Sequence, residues 1–179
     1  MEAIFSLPYS EYQTIERLRS ILPKARGFGV FVPVSRQQAG IDFTIVRRDR
    51  FLRAQVKSSR HFEHSDPPAF EFWYRNFRSS YRRGRADLYF PFGLYPEFRK
   101  GVKVSDRYAH WRNLILVFSD EEMGKILRGT RESFIYFRMN PVTFSRSQAV
   151  VGTRGWQGRD LTPYLLENRA RWLRRQFTK

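Results

Sequence analysis

Asp42, Gln55 and Lys57 are residue types that together could hold a metal ion and a phosphate. A carboxylate and an amide oxygen would serve the ion, and an ammonium would serve the anion. The stretch from Gly40 to Lys57 reads as two strands joined by a tight turn at Asp49-Arg50. With those two residues at the centre of the turn, position 48 lies against 51, 46 against 53, 44 against 55 and 42 against 57. Side chains alternate faces along a strand. One face then carries Ile41, Phe43, Ile45, Leu52, Ala54 and Val56, all apolar. The other carries Asp42, Thr44, Val46, Arg53, Gln55 and Lys57. Directly opposed residues have Cβ atoms about 4.5–5.5 Å apart, so Asp42 is expected to meet Lys57, with Gln55 beside them.

The elements around this hairpin follow from local signals. Residues 10–22 predict a helix, with Ser10 as N-cap, Glu11 in the first turn and Pro23 just beyond the end. Glu11, Ile15, Leu18 and Leu22 share one helical stripe, so Glu11 lies on the inward face and Glu16 lies away from it. Phe28 to Val34 predicts a strand before the hairpin. Residues 59–68 read as a loop, Phe70 to Arg75 as an aromatic strand and 76–86 as a basic loop. Asp87 to Phe90 returns to strand, stopped by Pro91, and 91–111 reads as an irregular excursion. Asn113 to Phe118 is apolar throughout, as expected of a strand buried on both faces. Ser119 and Glu122 fit a capping box for a helix to about Arg128. Ser133 to Met139 predicts another strand, and 143–160 reads as polar connection. Thr162-Pro163 supplies an N-cap and an N1 proline for a last helix to about Phe177. Its buried stripe is Leu166, Ala170, Leu173 and Phe177, with Arg169, Arg171, Arg174 and Arg175 mostly outside it. With no repeat and no linker-like break, 1–179 predicts a single α/β domain, a mixed twisted sheet with helices on its faces.

Composition narrows the partners. Lys and Arg total 33 against 17 Asp and Glu, a formal net charge of +16, which points to a polyanion and most simply to nucleic acid. The basic residues are spread along the chain and no apolar run could span a bilayer, so a membrane is the weaker partner. No cysteine is present, which excludes disulfides, thiolate zinc sites and cysteine nucleophiles. His61 and His64 have the spacing of a metal pair, but their context is a surface loop. There is no phosphate-binding P-loop and no dinucleotide fingerprint. The N-terminus lacks a basic region before an apolar core, so a cytoplasmic, nucleoid-associated location is the default expectation. Phosphate contacts are expected from Arg82, Arg83 and Arg85 in the basic loop and from Arg47, Arg48 and Arg50 at the hairpin tip. Asp87 is read as structural, and Phe70 to Tyr74 as core rather than a base-stacking platform.

Gly40-Ile41-Asp42, followed by Ala54-Gln55-Val56-Lys57 on the next strand, resembles the core of the PD-(D/E)XK, restriction-endonuclease-like nucleases in their Gln-X-Lys variant. Within that superfamily it is similar to the small homing endonucleases of cyanobacterial group I introns. The resemblance covers roughly residues 10–120 and departs from the consensus in lacking a proline before Asp42 and in carrying Gln55 where an acid is commoner. It implies a central mixed β-sheet flanked by helices and a metal-dependent endonuclease acting on double-stranded DNA. It also implies that an upstream helical glutamate completes the site, with Glu11 as the match and Glu16 as runner-up.

The chemistry of the residues agrees with that implication. Cutting a phosphodiester at neutral pH needs a hydroxide, shielding of the phosphate and help for a leaving alkoxide, all within reach of a divalent ion. Mg2+ (or Mn2+) needs hard oxygen ligands and only one or two carboxylates. Asp42 would be the direct ligand, with Gln55 and the Val56 carbonyl adding oxygens and Glu11 acting through water or at a second ion. Lys57 would orient or deprotonate the attacking water and stabilise phosphate charge. One site per chain against two strands of DNA leads to an expected homodimer or homotetramer. Three competing functions stay open on the sequence. These are a junction-resolving or restriction nuclease, a nucleic-acid-binding protein in which Asp42 and Lys57 are merely a surface pair, and an RNA-binding protein.

Overall fold

The computed structural model describes residues 3–33, 40–60, 70–74, 77–97, 110–129, 135–139, 149–152 and 159–178. Its centre is the hairpin of β2 (Phe43–Arg47) and β3 (Arg50–Arg60). The alternation holds: Phe43, Ile45, Ala54 and Val56 are buried together on one face. The register differs from the expected one. Arg47 pairs with Arg50 and Phe43 with Ala54, so the turn centres on Arg48-Asp49. Arg48 takes φ +56°, and a positive φ at the first turn position matches the right-handed twist of the strands it joins. The pairing has slipped by two residues, which preserves both faces where a slip of one would exchange them. The ladder ends at the Phe43–Ala54 pair; Asp42 departs from it, its N–H donating to the Ala54 carbonyl at 2.8 Å, so the expected pairing of Asp42 with Lys57 does not form.

The hairpin is part of a mixed six-stranded sheet. β1 (Phe28–Phe31) pairs antiparallel with β2, and β3 pairs in parallel with β5 (Leu88–Glu97). β6 (His110–Ile115) and β7 (Phe118–Ser119) both pair antiparallel with β5. A second, antiparallel sheet has β4 (Phe70–Tyr74) and β8 (Ile135–Met139) side by side, followed by β9 (Ala149–Gly152) and β10 (Arg159–Asp160). Helix α1 (Ala3–Ile21), with Leu22 just beyond its end, and the C-terminal α4 (Ala170–Arg175) contribute Ile15, Leu18, Leu22 and Leu173 to the core under the Phe43–Val56 face. The opposite face of β5 and β7 is covered by the second sheet and by α3 (Asp120–Arg128), through Phe72, Phe137, Met123 and Leu127. This is the α/β architecture expected from the sequence, a central mixed sheet flanked by helices, with a second sheet added.

Several boundaries move for physical reasons. α1 runs on both sides of Ser10, which is buried and accepts the Thr14 hydroxyl through its carbonyl at 2.7 Å instead of capping the helix. β5 passes through Pro91 because the neighbouring ladder is interrupted there. The Pro91 carbonyl accepts Leu116 N–H at 3.0 Å in the gap between β6 and β7, so the missing proline donor costs no ladder bond. The expected 91–111 excursion thus contains most of β5 and the start of β6. Of the basic loop, Phe77–Ser80 forms a short helix, α2. The capping box appears as read, with Ser119 Oγ accepting Glu122 N–H and Glu122 accepting Ser119 N–H. The single C-terminal helix does not form. Thr162–Tyr164 makes a 3-10 turn. Leu165 then bridges Leu116, and Leu166 N–H donates to the Ile115 carbonyl, which pulls the chain into extended form before α4. His61 and His64 lie outside the described residues, as does most of the polar stretch between β8 and β10.

Candidate functional site

At Asp42 the chain leaves the β2–β3 ladder, and the carboxylate takes over the place of the next backbone acceptor. Val56 N–H donates to Asp42 Oδ2 at 2.5 Å. In an extended strand the N–H and C=O of one residue point to the same side. The Val56 carbonyl therefore faces the same gap as the Asp42 carboxylate. Gln55 is buried, on the face that also carries Lys57. The structure thus brings Asp42, Gln55, Val56 and Lys57 to one spot, in a changed register.

Lys57 is half-buried and stands over the Phe77 ring, its Nζ 5.8 Å from the centroid. Burial pushes the ammonium's pKa down; the Asp42 charge works against that shift and the Arg85 charge adds to it. Asp42 and Arg85 thus both act on Lys57. Arg85 reaches this place by lying across Gly40. A Cβ on Gly40 would come 2.5 Å from Arg85 Cδ, and Gly40 has φ +93°, so two constraints favour glycine there.

The basic loop is fixed from beneath by carboxylates that sequence reasoning did not connect to it. Asp120 accepts Gly84 N–H and the Tyr81 hydroxyl, each at 2.9 Å. Asp120 N–H in turn donates to the Asp87 carbonyl at 3.1 Å. Asp87 accepts three bonds from Arg53, from its backbone N–H at 2.8 Å, Nε at 3.1 Å and Nη2 at 3.0 Å. Asp87 is thus engaged in structural contacts with Arg53. The alternation that placed Arg53 on the face of Gln55 and Lys57 was the available signal for this chain of contacts. Arg82, Arg83 and Arg85 are left exposed along the loop.

Glu11 is half-buried on the stripe of α1 that packs against the sheet. That stripe lies on the Phe43–Val56 side, whereas Gln55 and Lys57 point to the other side. Glu11 and Lys57 therefore lie on opposite sides of the sheet. At the hairpin tip, Arg48, Asp49 and Arg50 are exposed and line an open groove with Phe31, Thr44, Val46 and Phe51. Arg47 does not join them. It points to the opposite face, its guanidinium 4.9 Å from the centroid of the Phe28 ring.

Among the described residues no group of three or more His, Cys, Asp or Glu could hold a metal ion. The oxygens nearest the Asp42 gap are its own carboxylate and the Val56 carbonyl, with the amide of Gln55 on the adjacent residue. That set suits a hard cation that keeps much of its own water. Among the described residues, no helix is long and apolar enough to cross a membrane.

No protein-family model matches the chain, and no curated protein matches its sequence. Its fold is similar to that of a solved structure, the bacterial homing endonuclease I-Ssp6803I. The TM-score is 0.54 at 15% sequence identity, and the match covers 100% of this chain and 98% of that one.

Proposed function

We propose that this protein is a metal-dependent endodeoxyribonuclease of the PD-(D/E)XK type, in its Gln-X-Lys form, cutting double-stranded DNA at specific sites as a homing endonuclease does. The observation that carries the reading is the Asp42 carboxylate, held by Val56 N–H where β2 parts from β3, with Gln55 and Lys57 on either side of Val56 along β3. The net charge of +16 and the homing-endonuclease-like fold support it.

Asp42, Gln55 and the Val56 carbonyl would hold Mg2+ or Mn2+, with Glu11 contributing from the helix side. When bound, such an ion lowers the pKa of a coordinated water and shields phosphate charge. The chain's own groups do the rest. Lys57 donates hydrogen bonds to the attacking water and to the scissile phosphate. Arg85, with Arg82 and Arg83 behind it, neutralises neighbouring phosphates and fixes the strand's path. The Val56 N–H bond sets the orientation of the Asp42 carboxylate. Two such sites in a homodimer or homotetramer would cut both strands. Incubating the protein with supercoiled plasmid and Mg2+ tests the reading. Nicked and linear products that vanish with chelator are expected; intact plasmid across metals and salt would refute it.

A further inference from the structure

β3 is continuous from Arg50 to Arg60, and its pairings with β2 and β5 run without a bulge. Phe51, Arg53, Gln55, Lys57 and Ser59 therefore share one face. That face changes character along its length. Ser59 Oγ accepts Trp73 N–H from the second sheet at 2.9 Å, and Lys57 packs against the face of the Phe77 ring. Beyond Arg53 the cover stops. Phe51 is 61% exposed and Phe31, on β1, 62%. The Phe31 ring folds back over Gly29, 3.2 Å from where a Cβ would stand, and Gly29 pairs with Val46, which pairs with Phe51. The two rings, Thr44 and Val46 thus line one open groove, with Arg48, Asp49 and Arg50 of the hairpin turn at its end. Exposed large apolar side chains gathered in a groove call for an occupant.

We propose that this open half of the sheet face reads base sequence from the major groove of duplex DNA. The inference rests on the nuclease reading above and extends it to the specificity surface. Three observations choose the occupant. The groove is continuous with the face that carries Gln55 and Lys57. It ends in two exposed arginines flanking Asp49, in a chain of net charge +16 that is complementary to a polyanion. A β-ribbon fits the major groove, where apolar side chains meet thymine methyls and a threonine hydroxyl can bond a base edge. β3 also sets a ruler. Phe51 precedes Lys57 by six residues, about 20 Å at roughly 3.3 Å per residue. At about 3.4 Å per base pair, that is about six pairs from the cleaved bond.

The test is selection from a library of randomised duplexes, by wild type and by Phe51→Ala and Phe31→Ala. Binding is read in chelator and cleavage in Mg2+, with sedimentation of each protein alongside. For the wild type, a block of base preference centred about six pairs from the cut is expected. Each position in it should discriminate about tenfold, falling below about twofold in Phe51→Ala while preferences elsewhere persist. Unchanged preferences in both variants would overturn the inference. So would a change of oligomeric state in Phe51→Ala, which would assign the groove to a second copy. Wild-type selection without cleavage, with the block lost in Phe51→Ala, would refute the nuclease reading and support the reading face. Absence of any selection by the wild type would overturn both.

Discussion

The two halves of one sheet face make an instructive contrast. From Lys57 to Ser59 the face lies under Phe77 and the second sheet, and its polar groups are pinned: Ser59 bonds Trp73, and Lys57 stands over an aromatic ring. From Phe51 to Val46 the same alternation presents apolar rings to open space. The candidate site falls where the two meet, at Asp42 and Gln55. Cover supplies rigidity and a dry wall for charged groups; openness supplies access for a large ligand. A site at the boundary has both.

Substitutions can break this contrast, and their effects should fall in order. Asp42→Ala removes both the proposed metal ligand and the acceptor of Val56 N–H. Cleavage by this variant should drop at least about a thousandfold in a plasmid assay, whereas melting should show only about 1–3 kcal/mol lost for one unsatisfied donor. Next comes the lock on the covered side. Arg169 is buried, bonds Glu122 at 2.7 and 2.9 Å and the Val117 carbonyl at 2.9 Å, and stacks 3.6 Å from the Trp172 centroid. Arg169→Ala should cost about 3 kcal/mol by denaturant titration, since it strands a half-buried carboxylate. The same pair sets an acid response. Burial works to raise the Glu122 pKa, but bonds from Arg169 and Ser119 N–H outweigh it, and the carboxyl is held below its ordinary 4.5. Its stabilising contribution is therefore complete above that pH and lost as pH falls through the lower folded value. Stability measured from pH 6 to 3 should fall less steeply through that window in Arg169→Ala.

Smaller effects separate the halves themselves. A Cβ on Gly93 would stand 2.7 Å from the Phe72 ring, so Gly93→Ala should destabilise by about 1–3 kcal/mol through overpacking on the covered side. Phe51→Ala on the open side should change stability by no more than about 0.5 kcal/mol. A large loss at Phe51 would mean that the open half is core after all.

Much of this was legible in the sequence, for reasons that differ by element. The faces of the hairpin follow from a period of two, so Gln55 and Lys57 share a face as read, whereas Asp42 meets β3 through Val56 N–H and not through that face. Register depends on one turn, and Arg48 at φ +56° carries none of the glycine or asparagine signal that would have placed it. The Ser119 capping box was readable because its partners are three residues apart. β9 and β10 were not, being short strands that exist only through pairing with each other and β8. Arg169 was assigned to the outer surface of a helix. Only the folded chain brings Glu122, Tyr164 and Trp172 around it. Likewise the support of the basic loop by Asp120 spans 36 residues and leaves no local trace.

The central claim is that the boundary residues perform hydrolysis while the surrounding arginines bind DNA. Lys57→Ala separates the two, with DNA affinity and Mg2+-dependent cleavage measured on the same protein at the same salt. The expected result is affinity within about twofold of wild type, because phosphate contacts come mainly from other residues, and cleavage reduced at least about a hundredfold. Cleavage near the wild-type rate, at unchanged affinity, would contradict it.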